Sequence, residues 1–211
     1  GLTPPYATIV ADPPWQFDPN GGSGGRRRRR TRLGYSIMSI DDIKALPVAE
    51  LAGATNLILW STRDMFREGE AVAVARAWGF EPYGELIWHK RNLGMGAWPR
   101  PTHEPVLLAR TEGAHVPADR ATTSVHTWEQ VRGPNNGGKV HSAKPAGLGD
   151  LVEAHFPGPY LELFARNPRL GWDHWGHGYE GQAALTSPIT TSLQPCAASS
   201  KTTAGTPHPT G

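Results

Sequence analysis

Apolar positions along the chain fall into short dense runs separated by turn-forming residues, and strand-like runs alternate with helix-like spacing. Thr8 to Ala11 is an apolar run that stops at Asp12-Pro13-Pro14, because proline supplies no amide donor to a central strand. Ser39-Ile40-Asp41-Asp42 predicts a helix with a serine cap and an acidic first turn, running to about Leu46 before Pro47. Leu57 to Trp60 reads as a second buried strand. Met65 to Trp78 carries Met65, Phe66, Val72, Ala73 and Ala77 at helical spacing and stops at Gly79, which predicts one crossover helix. Strands follow over Glu85 to His89 and Pro105 to Ala109, then a helix over Pro145 to His155 with proline in its first turn, and a strand over Tyr160 to Phe164. This alternation predicts a three-layer α/β fold around a mostly parallel sheet. Ligands of such sheets lie beyond the carboxyl ends of the strands, so Asp12-Pro13-Pro14-Trp15, His89-Lys90 and Ala165-Arg166 are expected to converge on one cleft.

Composition adds two segments that do not belong to the core. With 38% hydrophobic residues, 25 Gly and 20 Pro among 211 residues, part of the chain has too little apolar surface to bury. Asn20 to Arg32 (NGGSGGRRRRRTR) predicts a mobile Gly/Arg loop, and the Ser/Thr/Pro/Ala/Gly-rich stretch 181–211 predicts a disordered tail after a catalytic domain over 1–180. The net charge of +2 hides a division: without Arg26 to Arg30 and Arg32, 15 basic residues face 19 acidic ones, a balance of −4. Positive potential is therefore concentrated in one segment, either a clamp for a polyanion, led by Arg26, Arg27 and Arg28, or a solvated linker. A single cysteine, Cys196, excludes an intrachain disulfide and a cysteine-based zinc site. His89, His103 and His141 match no zinc spacing, so no metal is expected. No apolar stretch approaches the ~20 residues needed to cross a bilayer, and a cytoplasmic protein is expected.

Asp12-Pro13-Pro14-Trp15 has a chemistry of its own. A carboxylate and two backbone carbonyls, held rigid by the prolines beside an aromatic ring, make an acceptor array for an amino group on a flat heterocycle that stacks on Trp15. The alternative is a polyproline turn with a tryptophan that only packs.

With this motif the chain resembles the MT-A70 family of N6-adenine methyltransferases, whose signature is the D-P-P-W of Asp12 to Trp15. The likeness runs from about Thr8 to Gly178. Tyr35-Ser36-Ile37-Met38-Ser39 is similar to the family's Y-x-x-M-S, Leu59-Trp60 to its L-x-L-W strand, and Trp88-His89-Lys90 to W-x-K. His103-Glu104 matches an H-E dipeptide and Lys144-Pro145 a K-P. Leu161 to Arg166 matches E-L-F-A-R, and Gly171-Trp172-Asp173 with Trp175-Gly176 matches the closing G-W-x-x-W-G. After it the family usually continues with Asn and an acidic or amide residue, where this chain has His177-Gly178.

The resemblance implies a Rossmann-like methyltransferase fold in circularly arranged motif order, with S-adenosylmethionine as methyl donor. It assigns catalysis to Asp12, Pro13, Pro14 and Trp15. Cofactor binding falls to Asp12, Lys144 (on the donor carboxylate), Glu162, Phe164, Arg166 and Asn167, and substrate contact to Tyr35, Lys90, His103 and Glu104, with Arg26 to Arg28 on phosphates. Taken alone, Lys144 also fits a surface lysine at a helix start, and Glu162 with Arg166 an ion pair at a strand end. Nucleic acid is the expected partner. DNA is expected over RNA, since the chain is short, lacks zinc fingers, and has an Ala/Gly/Arg/Pro bias that suggests a GC-rich bacterial or phage gene. A protein partner or a homodimer is compatible. Three functions remain: the methyltransferase, an inactive nucleic-acid-binding subunit of the same family, and a methyltransferase for another acceptor.

Overall fold

The structure is a computed structural model in which residues 2–15, 38–93, 98–130, 143–166 and 169–176 are described. Its centre is a sheet of seven strands: β1 (Tyr6–Ala11), β2 (Ala52–Trp60), β3 (Glu81–His89), β4 (His103–Arg110), β5 (Val125–His126), β6 (Tyr160–Leu163) and β7 (Trp172–Trp175). They lie in the order β5-β3-β4-β2-β1-β6-β7. The pairs β1/β2, β1/β6, β6/β7 and β3/β5 are parallel, while β4 is antiparallel to both β2 and β3. Among the described residues six strands therefore point one way and β4 alone runs back. The sheet is mixed and mostly parallel, as expected of a Rossmann-like α/β fold.

The reversed strand shapes the site. The carboxyl ends of β1, β2, β3, β6 and β7 share an edge with the amino end of β4, so His103 and Glu104 arrive there by starting a strand. Periodicity carries no direction, and the reversal is invisible in the sequence pattern.

Two apolar clusters sandwich the sheet. On one face Ile9, Ala11, Leu57, Leu59, Leu107 and Leu163 pack against α1 (Ile40–Lys44), a 3-10 turn (Val48–Leu51) and α3 (Glu70–Ala77). On the other, Val10, Ile58, Trp60, Leu86, Trp88 and Val106 pack against Leu148, Val152 and Phe156 around α4 (Ala146–His155). Alternation along β1, β2 and β4 sends successive residues to opposite clusters, as a pleated strand demands. The layers are helices, sheet and helix.

The local signals explain most of the elements. Ser39 caps α1, its hydroxyl accepting from Asp42 N, while the Asp42 carboxylate reaches back to Ser39 N in a capping box. Phe164, expected at the end of a strand, instead begins the turn after β6 with φ 63°. Pro145 precedes α4 rather than sitting in its first turn. The single helix expected over Met65 to Trp78 is two, α2 (Arg63–Arg67) and α3, because Gly69 adopts φ 80° and breaks the helical path between them. A glycine between apolar positions leaves their period unchanged, so periodicity cannot detect the break. Among the described residues no helix is long and apolar enough to cross a membrane.

Candidate active site

β1 delivers Asp12 to the shared edge. Its backbone N–H donates to Leu163 O at 3.3 Å, and its side chain is on the α4 face, 9 % exposed. Both carboxylate oxygens are held by cations: Lys144 Nζ is 3.2 Å from Oδ1, and an Arg166 guanidinium nitrogen donates to Oδ2 at 2.6 Å. Lys144, two residues before α4, also donates to Glu104 Oε2 at 2.9 Å, and Glu104 Oε1 accepts from Lys90. A row of alternating charge thus runs Arg166, Asp12, Lys144, Glu104, Lys90 across β6, β1, β4 and β3.

The row rests on tryptophan. Lys144 Nζ stands 4.8 Å above the Trp60 ring and Lys90 Nζ 4.9 Å above Trp88, and the two indoles meet edge to face at 5.9 Å. Each cation–π contact in such a partly desolvated place stabilises by ~0.5–2 kcal/mol and orients the ammonium. Trp88 in turn donates its indole N–H to Trp128 O at 3.0 Å. In the sequence Trp60 and Trp88 are legible only as motif letters. The signal for their role is strand parity: Trp88 and Lys90 are two apart and so share a face.

The electrostatics follow from this packing. Burial alone would raise the carboxyl of Glu104, but the charges and hydrogen bonds of Lys144 and Lys90 outweigh it and hold Glu104 below the usual carboxylate range. Burial would likewise lower Lys144, and Asp12 and Glu104 reverse that, so Lys144 stays charged. Glu162 lies on the same face, paired in register with Val10 and His174. It is pushed up to about 7, first by burial and then by the charge of Asp12, against weaker opposition from Arg166 and Arg169. Among the described residues, Arg166 and Arg169 act on its carboxyl group through their charge.

Residues Pro13 to Trp15, directly after β1, are pinned. Trp15 N–H donates to Pro13 O at 2.8 Å and Met38 N–H to Pro14 O at 3.1 Å, leaving each carbonyl one lone pair. Trp15 is 9 % exposed within the core, and its indole N–H donates to Trp60 O at 3.0 Å. The tryptophan packs, ties the loop to β2 and leaves little ring to stack on a heterocycle, so the packing alternative describes its position. Phe164 meets Trp175 edge to face at 5.3 Å, and Ala165 N–H donates to Trp175 O at 3.1 Å, which fixes the turn that carries Arg166.

The structure thus brings together Asp12, Lys144, Glu104, Lys90, Arg166 and Glu162. It separates His103 from Glu104: as successive residues of β4 they face opposite sides of the sheet, and His103 lines a cleft with Arg63 and Phe66 of α2. Tyr35, Asn167, Arg26 to Arg28, His141 and His177-Gly178 lie outside the described residues. Among the described residues no group of three or more His, Cys, Asp or Glu could hold a metal ion.

Comparison with known proteins agrees with this arrangement. Residues 6–178 match the family model MT-A70. The Type II methyltransferase M.MunI of Mycoplasma sp is 28% identical over 188 residues, with 81% of this chain and 76% of that protein covered. The N6-methyladenosine RNA methyltransferase MTA1 of Pyricularia oryzae is 31% identical over 198 residues, covering 82% of this chain and 46% of the relative. The N(6)-adenine-specific methyltransferase METTL4 of Homo sapiens is 29% identical over 187 residues, covering 82% and 37%. The chain therefore spans three quarters of the first relative but less than half of the other two. With the family model matched across the whole described sheet and the motif residues gathered at one edge of it, the chain belongs to the MT-A70 family.

Proposed function

We propose that this protein transfers a methyl group to the N6 amine of adenine in nucleic acid, with DNA favoured over RNA. The observation that carries the reading is Asp12, held between Lys144 and Arg166 at the edge where the strands end. The donor set fits S-adenosylmethionine, which joins a sulfonium, an amino-acid zwitterion and an adenosine. Cationic Lys144 and Arg166 suit its carboxylate and polar groups, while the Glu162 carboxyl group and the turn from Phe164 to Arg166 suit its ribose. Such a donor supplies an electrophilic methyl group on a positively charged sulfur.

The chain's own residues would do the rest by positioning. The Asp12 carboxylate and the free lone pairs of the Pro13 and Pro14 carbonyls accept hydrogen bonds from the N6 amine and draw its lone pair out of ring conjugation. Lys144 and Arg166 keep the Asp12 oxygens fixed, and Glu104 keeps Lys144 in place. No dedicated base is needed, because the N6 proton becomes acidic as the bond forms and leaves to Asp12 or to water. Catalysis then rests on proximity and orientation. In a duplex, the adenine has to leave the stack to reach Asp12.

DNA is favoured because the chain covers 76% of the Mycoplasma Type II methyltransferase but only 46% of the Pyricularia enzyme whose name specifies RNA, and because its Ala/Gly/Arg/Pro bias suggests a bacterial or phage gene. The test is transfer of a labelled methyl group to unmodified DNA and to RNA, with nucleoside analysis of the product and Asp12→Ala as control. N6-methyladenine in DNA, lost in the control, is the expected result. Transfer to RNA alone would reverse the preference, and failure to bind the donor would favour the inactive-subunit reading that the departure at His177-Gly178 raises.

A further inference from the structure

The connection from β3 to β4 leaves an unusual surface next to the site. From Lys90 to His103 the sequence contains Lys90, Arg91 and Arg100 and no acidic residue. Within it Trp98 is 94 % exposed and Leu93 62 %. An indole buries 150–250 Å² when packed, so leaving one almost wholly in water forgoes a large apolar contribution that some partner can recover.

Trp98 borders a cleft of about 450 Å³, whose charged and polar lining is Arg63, Arg67, Glu85 and His103 and whose apolar lining includes Phe66 and Ile87. That volume falls in the ~300–1,000 Å³ range of small-ligand clefts. Arg63 donates a guanidinium hydrogen bond to Pro99 O at 3.1 Å, which fastens the foot of the connection to α2. The cleft opens on the face of the sheet opposite the charge row, and His103 and Glu104 mark its separation from that row: one residue of β4 apart, one in each site. An aromatic and aliphatic slot whose polar groups are two guanidinium groups and an imidazole against one carboxylate, Glu85, is basic on balance and matches a planar base with its phosphate. A protein face would find the same charge unfavourable to dock against unless it were acidic.

We propose that this cleft receives a nucleotide flanking the target adenine, with its base stacked on Trp98 and its phosphate attracted by Arg63 and Arg67 at the rim. The proposal rests on the reading of nucleic acid as substrate. It makes the sheet edge a two-sided recognition device in which the target adenine lies on the Glu104 side and its neighbour on the His103 side.

The experiment uses the full chain and single-stranded oligonucleotides containing one adenine, with the fluorescent base 2-aminopurine placed beside it on either side. Binding is expected to quench the probe at one of those positions. Trp98→Ala is expected to abolish the quenching and weaken the dissociation constant about ten-fold, while Trp98→Phe restores most of both. Unchanged methyl-donor binding checks that the variants are folded. Equal quenching and affinity in Trp98→Ala would overturn the inference and leave the proposed reaction standing. A dimer in sedimentation that Trp98→Ala dissociates, with oligonucleotide binding unaffected, would also overturn it and assign the surface to self-association. If the unaltered chain neither binds these oligonucleotides nor methylates them, the functional reading fails and this inference falls with it.

Discussion

Asp12 carries more of the proposed chemistry than any other residue, and its surroundings say what its loss should do. Asp12→Asn keeps the shape but removes the anion shared by Lys144 and Arg166. Methyl transfer is expected to fall by about 10²-fold or more, the scale seen when one preorganised polar group is removed from a reacting centre. Near-full activity with unaltered donor binding would take Asp12 out of the role given to it. Glu162 offers a second test, through pH. Its carboxyl is raised from 4.5 to about 7, chiefly by burial and next by the charge of Asp12. Between those values the folded chain holds a proton that the unfolded chain has released, so the stability this contributes is present below the lower value and is lost as pH rises through the upper one. Glu162→Gln stays neutral throughout. Its melting temperature should gain on the wild type as pH goes from about 5 to about 8, and parallel curves would show that Glu162 ionises at an ordinary pH.

At the scale of elements, the site depends on turns that hold strand ends in register. β7 closes on the turn after β6: a Cβ placed on Gly176 would lie 2.5 Å from Ala165 O and 2.7 Å from Ala165 N. Those are backbone atoms and cannot swing aside. Gly176→Ala is therefore expected to push β7 away from the Phe164–Ala165 turn that carries Arg166, at a cost of about 1–3 kcal/mol. Thermal melts and donor titrations should show both a lower melting temperature and weaker donor binding, whereas wild-type values in both would mean that the turn moves freely. On the other side of the sheet, α4 is tied to the β6–β7 region through Arg169, which pairs with Asp150 at 2.6 Å and Glu153 at 2.7 Å, and through Trp172, whose indole N–H donates to Glu153 Oε1 at 2.8 Å. Lys144 enters the site from just before that helix, so anchoring α4 also anchors Lys144.

For the whole molecule, the distribution of charge predicts how binding responds to salt. The six arginines of Arg26 to Arg30 and Arg32 turn a balance of −4 into +2. Replacing Arg26 to Arg30 by serine should weaken DNA binding and flatten the dependence of log K on log salt by about 0.7–0.9 for each phosphate that is no longer neutralised. An unchanged slope would show the run to be a bystander. The charge row lies at one edge of the sheet, where the carboxyl ends of β1, β3 and β6 meet the start of β4, and that is the edge proposed for the reaction.

Much of this was decided by the sequence alone. The apolar runs located β1, β2, β3, β4 and β6, the Ser39 cap located α1, and the ordered motifs from Asp12 to Gly176 located the family and named residues that the fold gathers at one sheet edge. These are local properties: burial period, caps and proline stops are written in consecutive residues and survive without knowledge of partners. What only the tertiary structure decided is non-local. The reversal of β4, the withdrawal of Trp15 into the core, the parting of His103 from Glu104 and the seating of Lys144 and Lys90 on Trp60 and Trp88 all depend on how the strands assemble, whereas the break at Gly69 is local and escapes only because it leaves the apolar period unchanged. Pairing brings together residues far apart in the chain, as Asp12 and Arg166 are, and no window of sequence contains both sides of such a contact.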